Sequence, residues 1–372
     1  MIDRDDIGAW VRLLATPGIG PDSARRLLAA FGSANAIFAA SDTSLREVVG
    51  AAAATALGEQ ASEVEEQVAR ALAWLDEASP EVRSIVTLGD ARYPPSLLET
   101  ADPPLLLYTQ GRCDLLHAKA IAVVGSRNPT RQGTENGRAF SSHLSQAGWT
   151  IVSGLALGID AAAHTGGLDG PGSTIAVVGT GLDSIYPKQN RELAHRIAAE
   201  GLIVSEFPLG TSPRSENFPI RNRIIAGMSS GTLVVEAALQ SGSLITARLA
   251  LEAGRDVFAI PGSIHSPQAR GCHALIKQGA KLVDRAEDVL EELTSSSGIA
   301  DRSSKVLESS QTEIGARDVI LEALGFDPAS LDTLIARTGW AAAELQAHLL
   351  ELELAGRVVR LPGQLFQRMA HG

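Results

Sequence analysis

The chain has 372 residues, 45% of them apolar, and only two cysteines. That is enough for two or three folded domains and too few thiols for a disulfide framework or a cysteine-based zinc site. A net charge of −11 by itself argues against nucleic-acid binding. The charge is uneven, however: residues 119–290 hold 16 basic and 14 acidic side chains, and the rest of the chain holds 16 and 29. A mildly positive middle with clustered arginines can hold a polyanion, with an affinity that falls steeply with salt. The acidic N-terminus has no apolar h-region, and no apolar run is long enough to cross a bilayer, so a soluble, cytoplasmic protein is expected.

Residues 1–78 are Ala-rich and helical. Leu13–Leu28 reads as a helix, a Gly18-Ile19-Gly20 hairpin and a second helix capped by Asp22 or Ser23. Such a hairpin either presents backbone N–H groups to a DNA phosphate or is a plain bundle turn. Arg25 and Arg26 are the basic residues nearby. From residue 79, short runs such as Ile85–Leu88 and Pro103–Tyr108 lie among prolines, which suit edge strands and turns.

Apolar strands then recur at 120–124, 150–152, 174–178, 202–204, 232–235, 257–259 and 281–283, with helices at 133–146, 191–199 and 244–253. Unalternating strands joined by helices predict an α/β domain, closing near residue 292, with a parallel sheet covered on both faces. Residues 293–313 are Ser-rich and read as a linker. In 314–372, helices at 316–324, 331–338 and 341–355 precede a hairpin of 357–360 and 364–367, a winged-helix-like pattern. The third of these helices contains Glu344, Glu351 and Glu353 and no Lys or Arg. That disfavours duplex reading and favours a protein-contact role.

Glycine-rich turns follow the strands of the α/β domain, where open sheets of this kind bind ligands. Gly125-Ser126-Arg127 offers N–H groups and a guanidinium to a phosphate. Ser153-Gly154 through Gly158 permits close backbone approach, with Asp160 read as a cap or a structural acid. Lys188 can touch a phosphate, and Asn190 is read as the cap of the following helix. Arg221-Asn222-Arg223 places two planar forks beside a turn, suited to an anion. Phe218 can stack on a base, Arg214 opens the same loop, and Ser241-Gly242-Ser243 opens another helix. No Gly-Lys-Ser/Thr phosphate loop is present. His164, His265 and His273 lack matching carboxylate or thiolate spacing. No metal, cofactor or catalytic residue is therefore expected.

Several motifs occur in one order: Val-Val-Gly-Ser-Arg, Ser-Gly-Leu-Ala-Leu-Gly-Ile-Asp, Gly-Thr-Gly-Leu-Asp with Tyr-Pro, Phe-Pro-Ile-Arg-Asn-Arg-Ile-Ile-Ala-Gly, and Val-Phe-Ala-Ile-Pro-Gly-Ser. Together they resemble the bacterial DNA-processing protein A family (DprA, also called Smf). The resemblance implies an extended Rossmann-type domain between an N-terminal helical module (SAM or helix-hairpin-helix-like) and a C-terminal winged-helix-like domain. It implies a homodimer that binds single-stranded DNA without sequence preference. It further implies loading of the RecA recombinase during natural transformation and displacement of single-strand-binding protein. The DNA-contacting positions it implies are Arg127, Phe218 and Arg221–Arg223, with Arg214 a looser match. Cys272-His273 departs from the family's usual Ser-Asn.

A second resemblance points to a different class. Ser229-Ser230-Gly231-Thr232 through Glu236 is similar to the turn of lysine-decarboxylase-like nucleotide phosphoribohydrolases. There Arg223 would hold a phosphate and Glu236 would stabilise a cationic sugar.

Overall fold

The computed structural model describes residues 4–59, 61–77 and 82–294, and beyond them 323–324, 329–338, 340, 345–346, 348–349, 352–353, 358–361 and 365–368. The chain forms two compact units, Met1–Leu293 and Thr294–Gly372.

Six helices open the first unit: α1 (Arg4–Ala15), α2 (Pro21–Phe31), α3 (Ala34–Ala39), α4 (Asp42–Val49), α5 (Ala51–Gly58) and α6 (Ser62–Asp76). Helix α2 starts at Pro21 with Gly20 as its cap residue and no side-chain cap bond. Asp22 and Ser23 thus lie inside the helix, because proline's fixed φ suits the first helical position. Leu13, Leu27, Ile37, Leu45 and Leu57 close the bundle's own core. Ile7, Val11 and Trp74 pack on Ile85, Leu106 and Tyr108 of the sheet.

The sheet has nine strands: β1 (Arg83–Thr87), β2 (Leu106–Gly111), β3 (Ala120–Val124), β4 (Thr150–Ser153), β5 (Thr174–Val177), β6 (Leu202–Ser205), β7 (Gly231–Val234), β8 (Asp256–Ala259) and β9 (Lys281–Leu282). Their order is β1-β2-β6-β5-β4-β3-β7-β8-β9. From β6 to β9 all neighbours are parallel, while β1 and β2 extend the same sheet antiparallel beyond β6. The proline-rich segment therefore supplies one edge strand and its neighbour.

Alternation along β3 shows why its residues are apolar without a break. Ile121 and Val123 pack on Phe140, Leu144 and Ile159, while Ala120, Ala122 and Val124 pack on Ile224, Ile225, Ala247 and Ala250. Both faces are covered, so neither set can be polar. The covering helices are α8 (Arg131–Gln146), α9 (Ile159–Gly167), α10 (Arg191–Glu200), α11 (Asn217–Gly227), α12 (Ser243–Glu252) and α13 (Arg270–Lys277), with the short α7 (Pro95–Leu98) before β2. A further helix, α14, covers residues 286–294, and its Leu293 is 2% exposed in the core. The expected helices at 133–146, 191–199 and 244–253 correspond to α8, α10 and α12. Helix α9 follows the turn where Asp160 was read as a cap, but Gly158 is its cap residue and Asp160 lies inside the first turn; α11 and α13 are additional. Helix α11 tolerates Pro219 because it sits in the first turn, where its missing N–H has no intrahelical acceptor.

In the second unit, β10 (Ala329–Ser330) leads into α15 (Leu331–Thr338), and β11 (Val358–Leu361) pairs antiparallel with β12 (Leu365–Arg368). The hairpin strands reach one residue beyond the expected ends, to Leu361 and Arg368. Leu324, Leu334, Leu345, Leu349, Leu352, Val358 and Phe366 form the core. Of the expected linker at 293–313, residues 293 and 294 instead belong to α14, because Leu293 is drawn into the core. Residues 295–313, helix positions 316–322, and Glu344 and Glu351 lie outside the described residues.

Candidate functional site

Strand β3 runs by α8 to β4 on one side, and β7 lies on its other side. Connections thus diverge at the carboxyl ends of β3 and β7, where open α/β sheets leave a crevice. A cavity of about 820 Å³ occupies that place.

Gly125, Ser126 and Arg127 enter it from the end of β3, and Phe218, Arg221 and Asn222 from α11. Ser241, Gly242 and Ser243, at the start of α12, close a third side. Six expected positions lie elsewhere. Ser153, Gly154, Gly158, Lys188, Arg214 and Arg223 do not line the cavity. Lys188 and Arg214 are exposed nearby and pair with no carboxylate among the described residues.

The three arginines differ sharply. Arg127 is exposed, has no carboxylate partner among the described residues, and sits 5.5 Å from the centre of the Phe218 ring. Phe218 in turn packs at 5.7 Å on Tyr186, whose ring is tilted by 30° and 45% exposed. The result is an ordered stack of guanidinium and two rings along the cavity, the arrangement of a cation–π contact. Tyr186 was the aromatic missed from the sequence. The Tyr-Pro dipeptide near Lys188 was its only local signal.

Arg221 is 4% exposed and donates to the carbonyls of Gly154, at 2.7 Å, and Val177. Burial pulls its pKa down to about 10, Arg127 pushes the same way, and Asp160 opposes both. The buried Asp160 is raised by desolvation and held down by Arg221. Its Oδ2 accepts from the N–H groups of Gly154, at 3.1 Å, and Ala156, at 3.3 Å. Arg223 donates to Glu206, at 2.5 Å, and to the Asp102 carbonyl, at 2.7 Å. Asp102 also pairs with Arg25. Arg25 is thus turned inward onto the α/β part of its own unit, which supports the plain-turn reading of the hairpin.

The turn after β4 consumes its own polar groups. Ser153 Oγ donates to the Val123 carbonyl at 2.6 Å. Asn190 donates to the carbonyls of Leu155, at 2.9 Å, and Ala156, at 3.1 Å. It makes no side-chain cap bond at α10, so its expected capping role is replaced by this one. Gly154 lacks a Cβ because one would stand 2.4 Å from the Arg221 guanidinium. Gly158 has φ +82°, and a Cβ there would stand 2.4 Å from the Ser126 carbonyl.

Below the turn, His164 Nε2 accepts from the Leu155 N–H at 3.2 Å. Its Nδ1 therefore carries the proton and donates to Thr174 Oγ1, 2.7 Å away, which donates to the Ile151 carbonyl at 2.6 Å. Burial pushes the imidazole from 6.5 down to about 3, helped by Arg221. Between those values the unfolded chain binds a proton that the folded one refuses. The stability involved is complete above pH 6.5 and is lost as pH falls towards 3, at up to about 1.4 kcal/mol per pH unit. Unfolding free energies of wild type and His164→Gln, compared from pH 7 to 4, should show the wild type falling more steeply. Parallel curves would refute this.

Glu236 is likewise engaged. Its oxygens accept from the Thr130 hydroxyl at 2.6 Å and the Thr130 N–H at 2.9 Å, at the start of α8. Cys272 is buried, with its thiol pushed up to about 11 by desolvation, and His273 Nε2 lies 3.0 Å from the Gly262 carbonyl. Among the described residues no cluster of three His, Cys, Asp or Glu side chains could hold a metal ion, and no helix is long and apolar enough to cross a membrane.

Residues 84–294 match the family model described as DNA recombination-mediator protein A, and 308–364 match the DprA winged helix domain. This chain belongs to the DprA/Smf family. It is 43% identical over 298 residues to Protein Smf of Escherichia coli, covering 78% of each chain. It is 50% identical over 203 residues to the DNA processing protein DprA of Streptococcus pneumoniae, covering 55% of this chain and 72% of that one. The X-ray structure of DprA from S. pneumoniae superposes with a TM-score of 0.63 and 37% identity, over 78% of this chain and 98% of that one. A DNA processing protein A structure from Helicobacter pylori, described for its single-stranded DNA binding mode, superposes with a TM-score of 0.53 and 30% identity, over 57% of this chain and 96% of that one. The DprA/Smf fold thus comprises a Rossmann-type sheet with a winged-helix domain at the C-terminus. All nine cavity-lining positions anticipated from the sequence fall within the first matched segment.

Proposed function

We propose that the protein is a single-stranded DNA-binding recombination mediator without sequence preference, and that the cavity at the ends of β3 and β7 is its strand-binding groove. The observation that carries this reading is the Arg127–Phe218–Tyr186 stack. It combines a cation free of acidic partners among the described residues with two aromatic faces. Aromatic faces accept any base, and the cation accepts any phosphate. Arg214 and Lys188, both exposed, would extend contact along the backbone. Ser241–Ser243 would meet a phosphate at the start of α12.

Family membership supports the rest of the reading: delivery of RecA to incoming strands in natural transformation, displacement of single-strand-binding protein, action as a homodimer in the cytoplasm, and no catalysis. The engagement of Glu236 by Thr130 and of Arg223 by Glu206 and Asp102 favours this reading over a phosphoribohydrolase. Anisotropy titrations with labelled oligo-dT and a matched duplex, at two salt concentrations, test it. Salt-sensitive binding of the single strand in preference to duplex is expected. Equal affinity for both, or none for the single strand, would overturn it.

A further inference from the structure

Tyr186 lines a second cavity as well as the groove. This second cavity has a volume of about 310 Å³, near the lower end of the range of small-ligand pockets. Its floor is apolar: Leu155, Val178, Ala194, Ala198 and Ile203 belong to one buried cluster between β5, β6 and α10. Its rim carries the Gln110 amide, the Ser184 hydroxyl and the His195 imidazole, together with the carboxylates of Asp183 and Glu77.

The electrostatics select what can enter. Arg83 is the cation there, and it is already spent on Glu77, at 2.5 Å, and the Trp74 carbonyl, at 3.0 Å. Its Nε is buried without a partner. Arg83 and Glu77 neutralise each other, so no positive charge is left for a phosphate, and the Asp183 carboxylate, which accepts from the Gly210 N–H, repels one. An uncharged planar group with donors and acceptors at its edge meets neither obstacle. It finds an apolar floor beneath it and amide, hydroxyl and imidazole groups around it.

We propose that this cavity is a nucleobase subsite. It takes a base of the same single strand whose neighbouring nucleotide lies on Phe218, with Tyr186 as the partition between the two. The inference rests on the single-strand reading of the groove. Continuity through Tyr186 is what assigns the occupant: a strand running along Arg127 and Phe218 reaches the Tyr186 ring, and the space beyond it admits a base while its phosphates stay outside.

Two probes separate the contributions in the full-length protein: oligo-dT, and an oligomer of equal length with the same phosphates and no bases. Ser184→Trp fills the cavity from an exposed loop position, and Gln110→Leu removes an edge contact from a strand. Both variants should weaken oligo-dT binding, the tryptophan variant by roughly 5- to 150-fold, as for loss of one stacked base. Neither should change affinity for the base-free oligomer or the salt slope for oligo-dT. Photo-crosslinking of 4-thiothymidine oligomers should label residues 182–186 in addition to Phe218. Unchanged oligo-dT affinity in both variants, equal weakening for the base-free oligomer, or crosslinks confined to Phe218 would each overturn the subsite. Failure of the wild type to bind oligo-dT at all would instead overturn the groove.

Discussion

Replacing Phe218 by alanine is expected to weaken oligo-dT binding by roughly 5- to 150-fold while leaving its salt dependence unchanged. The ring is neutral and stands between Arg127 and Tyr186, so its removal deletes a stacking face and no counterion-releasing charge. Arg127→Ala should behave differently. It removes the exposed cation of the stack, so the slope of log affinity against log salt should shrink by roughly 0.7, the amount for one phosphate contact on a single strand. Anisotropy titrations of both variants across a salt series measure the two effects together. A Phe218→Ala protein that is folded and binds like wild type would remove the stack from the mechanism.

Arg221→Met is expected to cost on the order of 3–5 kcal/mol of stability, seen as a lower urea midpoint. Arg221 shares the Arg-Asn-Arg run with Arg223, yet its environment is that of a structural group: 4% exposed, bonded to two carbonyls and facing the buried Asp160. Its loss would leave the Gly154 and Val177 carbonyls without their buried donor and remove the positive charge that holds Asp160 down, and breaking such a buried network is among the largest single-residue penalties. Adding Asp160→Asn should recover part of the loss, because it removes the carboxyl that Arg221 held down. A stable Arg221→Met protein with a salt slope reduced by roughly 0.7 would return Arg221 to the role of a phosphate contact.

These two arginines show where sequence reading stops. The strands were legible because residues such as Ile121 and Val123 alternate with Ala122 and Val124, all apolar, which marks a sheet covered on both sides. The ends of those strands then pointed to the region of the cavity that Arg127 and Phe218 line. The division of labour between Arg127 and Arg221 was not legible. The carbonyls that claim Arg221 lie 67 and 44 residues away in the chain. Arg223 is claimed by Asp102, 121 residues away. Helix α11 escaped detection for a related reason. It buries Asn217 and Arg221 along with Ile224, Ile225 and Ala226, so no apolar stripe separates an inner face from an outer one. Tyr186 reaches Phe218 only through the fold, 32 positions apart in sequence.

The turn after β4, closed upon itself by Asp160, Asn190 and Arg221, separates framework from grip. In phosphate loops the main chain is itself the ligand cradle, so altering the fit means altering the fold. Here that main chain is a sealed brace, and on the proposed reading the Arg127 and Phe218 side chains that meet a strand stand apart from it, on the β3 loop and α11. Substitutions at those side chains should therefore alter strand binding while leaving the nine-stranded framework of this chain unchanged.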